Sequence, residues 1–233
     1  MHGFNERSRK HKFTPALVPF LPSSRYHKII GNLENVHMNE PHETVTGTNP
    51  GYLTGQVLIA MPAMTDPRFT KSVIYICVHN EEGAMGLVVN KTIESLAFPE
   101  LLKQLDIGVH GMVDDRPIYH GGPLDTGRGF ILHSLDYQQN STISITEDLG
   151  LTSTIDVLSD IAENRGPAQS LLALGYAGWG PNQLDDEIQQ NAWLQSSADR
   201  ELIFNLQDDR KWECAISSIG IDLSLLSVET GHA

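Results

Sequence analysis

Long apolar runs are missing from this chain. The longest, such as Ile74 to Val78, have the length of a strand, far below the roughly 20 residues that cross a bilayer as a helix. Cysteine is scarce as well. One possible pair, Cys77 and Cys214, is no disulfide framework for a protein of 233 residues, and its spacing matches no zinc site. Both read as reduced thiols of a cytoplasmic protein. Positive charge is thin: 16 Lys and Arg stand against 29 Asp and Glu, a net charge of −13. There is no Gly-x-Ser-x-Gly, no His-x-x-x-His, no Cys-x-x-Cys, no P-loop and no dinucleotide fingerprint. Those absences take away the most recognisable hydrolase, metal and nucleotide signatures.

The charge is divided unevenly. Residues 1–50 hold six Lys and Arg against four Asp and Glu, a net of +2, and the rest holds ten against twenty-five, a net of −15. A domain this acidic repels phosphate backbones and anionic lipid unless its few cations gather on one face. Direct nucleic-acid binding by it is therefore disfavoured. The first fifty residues show no sustained period of 2 or 3.6 and carry prolines at 15, 19, 22, 41 and 50. Ordering a backbone costs about 1–2 kcal/mol per residue, and too few apolar groups cluster here to offset it. The expectation is a disordered extension over 1–50 followed by one domain over 51–233. Histidines 2, 11, 27, 37 and 42 lie in the extension without the geometry a metal site needs. The stretch Ala16 to Leu21 is too short and too interrupted by proline to be a signal-peptide core.

From Gly51 the patterns sharpen. Strands are expected at Gln56–Met61, Ser72–His79 and Ala84–Asn90, the last two joined by the turn Glu81-Glu82-Gly83. Alternation would put Val73, Tyr75, Cys77 and His79 on one face and Ile74, Ile76 and Val78 on the other. A helix begins at Pro99, with Leu101, Leu102 and Leu105 buried. Strands follow at Pro117–His120, Gly129–His133 and Thr142–Thr146. A helix capped by Ser153 comes next, with Ile155, Leu158, Ile161 and Ala162 inward and Gly166-Pro167 as its stop. Gln169–Tyr176 reads as a strand, Asn182–Gln190 as a helix, and Leu202–Leu206 as a strand. The final helix starts near Asp208 and buries Trp212, Ala215, Ile216 and Ile219, with Cys214 on the opposite side. This order lacks the strict alternation of a doubly wound sheet, so the class is α+β with a mixed sheet and packed helices.

Several blocks of this domain resemble the bacterial AlgH/YqgE family. They are Leu58-Ile59-Ala60-Met61-Pro62, Asp66-Pro67-Arg68-Phe69, His79 to Asn90, His120-Gly121-Gly122-Pro123, Arg128 to Ser134, and Gly175 to Leu184. The resemblance implies a sheet bent into a pseudo-barrel. It brings no agreed catalytic mechanism, and its association with transcriptional regulation is only a label.

Three histidines fall at expected strand ends: His79, His120 and His133. If those ends meet, they form a cluster with Asn80, Asn90 and Asp66 able to hold a metal or perform acid–base work, and with Gly121 and Gly122 a candidate ligand-binding surface. His120-Gly121-Gly122-Pro123 loosely resembles an esterase oxyanion loop but is sufficiently explained as a tight turn. Gly178-Trp179-Gly180-Pro181 at a helix start is a possible anion site, already crowded by Asp185, Asp186 and Glu187. Cys77 is expected to be a buried, inert thiol. No catalytic residue, metal ligand or cofactor is assigned. The expected function is non-catalytic binding or regulation, with a small molecule or protein as partner and no membrane. The alternative is a hydrolase or metal-assisted enzyme built on the strand-end histidines.

Overall fold

The computed structural model describes residues 52–108 and 113–222. The expected disordered extension over 1–50, with its five histidines, lies outside them.

Along the chain run β1 (Gln56–Ala60), β2 (Val73–Asn80), β3 (Gly83–Val88), α1 (Phe98–Gln104), β4 (Ile118–His120), β5 (Leu124–Ser134), β6 (Ile143–Ser144) and β7 (Leu149–Thr152). Then come α2 (Asp156–Ala162), β8 (Ser170–Trp179), α3 (Gln183–Gln189), β9 (Trp193–Ser197), a π-helical turn (Glu201–Asn205) and α4 (Asp208–Ser218). The strands form one sheet in the order β6-β7-β5-β8-β3-β2-β1-β9. β4 is the exception to antiparallel pairing, running parallel to β8 from Ile118 opposite Leu172 to His120 opposite Leu174. The sheet curls as the resemblance implied, and the turn after β6 reaches the start of β1. A Cβ added at Gly55 would lie 2.7 Å from Thr146 Cγ2.

Alternation assigns the strands' two faces to different work. The inner face gathers Val57, Ile59, Tyr75, Leu87, Phe130, Leu132 and Leu151, closed by Ile203 of the π-helical turn and by Trp212, Ala215 and Ile216 of α4. The outer face carries two separate apolar patches. One holds Leu58, Ile74, Ile76, Ala84, Trp179 and Trp193, with Leu184 of α3 over it. The other holds Ile118, Ile131 and Leu172, under Phe98, Leu101 and Leu102 of α1 and Val157, Leu158 and Ile161 of α2.

Four details differ from the sequence pattern. Between Ile76 and Val78 the pairing with β3 shifts by a bulge, so Val78 joins Tyr75 and Cys77 on the inner face. His79 thereby turns to the outer face, away from Cys77. Residues 202–206, whose alternating Leu, Phe and Leu suggest a strand, instead contribute to the π-helical turn, because Ile203 is drawn into the inner core. Ile155 is 38% exposed rather than buried, and the helix it precedes begins without a side-chain cap. Strands β7 and β9 were not marked by the pattern; both are short, and β9 is polar over Gln195-Ser196-Ser197.

Candidate functional site

The three histidines do not meet. His133 is fully buried in β5, within a directed chain of hydrogen bonds. The Gln139 N–H donates to Thr142 Oγ1 (3.0 Å), and Thr142 and Thr152 share a 2.8 Å hydroxyl contact. His133 Nε2 lies 2.8 Å from Thr152 Oγ1, and its Nδ1–H donates to Ser134 O at 2.9 Å. Burial holds its pKa below the ordinary value, so the ring is neutral and both nitrogens are engaged. His79 is buried against the other outer patch. Its Nδ1 accepts the Leu53 N–H (3.3 Å), which places the proton on Nε2, 3.7 Å from Asp185 Oδ2. Burial lowers its pKa too, opposed by the Asp185 charge. His133 pairs across from Ser170, and His79 sits opposite Ala84, whose own partner is Trp179. The two rings thus belong to opposite ends of the ten-residue strand β8. His120, at the end of β4, is exposed. Among the described residues, no three His, Cys, Asp or Glu side chains gather closely enough to hold a metal ion.

The remaining expected residues divide in the same way. Asn80 stays beside His79, its Oδ1 closing the hairpin turn by accepting the Glu82 N–H (2.9 Å). Asn90, Gly121 and Gly122 go with His120. Gly121 and Gly122 thread between the backbones of β3 and β8. The Val88 N–H donates to Gly121 O, and the Gly121 N–H donates to Leu174 O, both at 2.9 Å. A Cβ on Gly121 would stand 2.1 Å from Gly175 O. The glycine pair is therefore required by close backbone approach, and the Gly121 N–H that an oxyanion loop would offer a ligand is directed into the sheet.

The Gly178-Trp179-Gly180-Pro181 turn is likewise architectural. The Gly180 N–H donates to Gln183 Oε1 (3.0 Å), and Glu187 Oε2 accepts both indole N–H groups, from Trp179 at 2.9 Å and Trp193 at 2.8 Å. Cys77 and Cys214 are free, and burial pushes the Cys77 thiol far up, consistent with an inert core side chain.

What assembles around His120 is a corner rich in cations. The loop after β1, the segment after β3 and the end of β4 converge there. Lys91 Nζ donates to Arg68 O (2.9 Å), Asn90 Nδ2 to Lys71 O (2.8 Å), and the His120 N–H to Lys91 O (2.7 Å). Asn90 also accepts the Val73 N–H at 2.8 Å, so one amide fixes both sides of the corner. That brace holds Lys71 at φ 55, a left-handed conformation that lysine rarely adopts. Three of the ten cations in residues 51–233 thus share one edge with His120, although the segment's net charge is −15. Asp66 offsets one of them. Its carboxylate accepts from Arg68 Nη2 at 2.7 Å, and this bond draws its pKa below the usual range. The Arg68 side chain remains 63% exposed.

Beneath the corner lies a buried lysine paired with a half-buried carboxylate. Lys211 of α4 is 1% exposed and donates to Val89 O (2.8 Å), Ile203 O (2.9 Å) and Asp208 (2.8 Å). The Tyr119 hydroxyl donates to the same Asp208 carboxylate at 3.1 Å. Burial lowers the Lys211 pKa, and Asp208 opposes the change. All three ammonium protons have acceptors, so Lys211 acts as a strut rather than a nucleophile. No sequence motif marked this cluster, whose parts lie 122 residues apart.

Comparison with known proteins agrees with this architecture. The AlgH-like family model matches residues 57–224. The UPF0301 protein of Rhodospirillum rubrum is 48% identical over 190 residues, covering 82% of this chain and 99% of that one. Its counterpart in Jannaschia sp. is 50% identical over 183 residues, covering 78% and 95%. The solution structure of the AlgH protein from Pseudomonas aeruginosa is similar with a TM-score of 0.65 at 40% identity, over 83% of this chain and all of that one. A crystal structure from Corynebacterium diphtheriae shares the fold, with a TM-score of 0.61 at 21% identity over 84% and 97%. Family model, relatives and fold agree, and the chain belongs to the AlgH-like family.

Proposed function

We propose that this protein is a non-catalytic, cytoplasmic binding module of regulatory type, and that the corner formed by Arg68, Lys71, Lys91 and His120 recognises an acidic segment of a partner protein. The observation carrying this reading is the gathering of three cations, Arg68 and Lys71 exposed and Lys91 half-buried, in a domain otherwise strongly acidic. Charges on the rest of the surface are screened beyond about 8 Å at physiological ionic strength, so an approaching carboxylate responds to the corner rather than to the net charge. A protein segment suits the corner better than nucleic acid, whose binding proteins commonly neutralise 6–10 phosphates. With Asp66 offsetting one of the three cations, the corner keeps the charge to match a short run of Asp or Glu side chains.

Fluorescence anisotropy of a fluorescein-labelled hexaglutamate peptide tests this. The reading expects saturable binding that weakens as salt rises, and loss of at least tenfold in affinity for the Arg68→Glu variant, a change at an exposed side chain that keeps the unfolding midpoint. Failure of the peptide to bind, or equal binding by the variant, overturns it.

A further inference from the structure

The outer patch beneath α1 and α2 is incompletely filled. Between these helices, β4, β8 and the π-helical turn lies a partly open cavity of about 220 Å³. Phe98, Leu158, Ile161, Leu172, Ile203 and Phe204 give it apolar walls. The Tyr119 ring adds another apolar surface, because its hydroxyl is engaged by Asp208. One wall is the π-helical turn, a rare backbone form that is frequent at functional sites and is held here by the bond from Lys211 to Ile203 O.

A single cationic side chain lines this apolar space. Arg116 is half-buried, and its Nη1 lies 3.4 Å from Ser170 Oγ, which also lines the cavity. That one long bond engages one of the five N–H donors of a guanidinium. Among the described residues, no carboxylate stands within ion-pair distance of Arg116. A guanidinium beside a hydroxyl presents the donor pair that a carboxylate accepts, and the walls offer burial to an alkyl chain.

We infer that this cavity binds a small amphipathic monocarboxylate, with its head on Arg116 and Ser170 and its chain among the apolar walls. At the interior packing density of about 0.75 the space takes roughly 165 Å³ of ligand, about the size of an eight-carbon acid. This site is separate from the corner and does not rest on the acidic-segment reading.

Titration calorimetry on the full chain, with octanoate and the neutral octanol as probes, is the test. Octanoate is expected to bind saturably with one site and octanol about tenfold more weakly. Arg116→Gln should cost octanoate about tenfold and leave octanol unchanged. Ser170→Trp, a substitution at a half-buried position that fills the space, should abolish binding of both, with its unfolding midpoint retained. Arg68→Glu should leave octanoate binding intact, which separates this site from the corner. Absence of saturable octanoate binding overturns the inference, as does equal octanoate affinity in wild type and Arg116→Gln, or binding that survives Ser170→Trp in a folded chain.

Discussion

Lys211 and Lys91 meet the same short stretch after β3 from opposite sides. Lys211 points inward and gives its three donors to Val89 O, Ile203 O and Asp208. Lys91 lies two residues beyond Val89, packs on the Arg68 carbonyl and contributes its charge to the rim. The floor of the corner is a closed polar network, whereas its rim is a set of cations only partly engaged: Arg68 by Asp66, Lys91 by the Arg68 carbonyl, and Lys71 by the Trp212 ring. His133 and His79 belong with the floor in this respect and His120 with the rim. A buried polar group whose partners are complete explains itself as architecture. Like charges held together at the surface of an acidic protein need another explanation, and recognition supplies one.

This contrast makes graded predictions. The largest concerns Lys211: replacement by Ala empties buried space and leaves the Val89 and Ile203 carbonyls without their donor, and should cost about 3–5 kcal/mol of unfolding free energy in urea titration. A cost below about 1 kcal/mol would mean that floor and rim do not differ. Next, His133→Ala leaves a cavity and takes one hydrogen-bond partner each from Thr152 Oγ1 and Ser134 O, an expected loss of about 2–4 kcal/mol. The pH dependence comes third. Burial lowers the pKa of both His79 and His133 in the folded chain. The unfolded chain therefore takes up protons first as pH falls. Stability from these neutral rings is whole above about pH 6.5 and declines below it. A melting temperature that holds constant between pH 7 and pH 5 would contradict their neutral, enclosed state. The smallest effect belongs to His120→Ala, which should change stability by no more than about 0.5 kcal/mol while weakening capture of an acidic peptide.

Much of the fold could be read from local patterns. The hairpin of β2 and β3, Pro99 at the start of α1 and the apolar face of α4 are signals carried within a few residues of one another. The pattern misled where tertiary packing overrode it. One extra residue at Cys77 turned His79 to the opposite face, and the inner core drew Leu202 and Ile203 into helical geometry. The candidate site was legible by halves. Asn90, His120, Gly121 and Gly122 lie together, but the cations that give the corner its character sit at positions 68, 71 and 91. No linear motif joins them, because the antiparallel return of β3 along β2 brings them together. Lys211 was invisible for a related reason: a lysine on a helix normally reads as solvated.

The central claim concerns where an acidic partner docks, and backbone amide shifts during titration with unlabelled hexaglutamate report that position directly. The account predicts perturbations concentrated at residues 68–71, 90–91 and 119–122, fading as salt is added. Shifts centred on α3, or scattered without a focus, would contradict it.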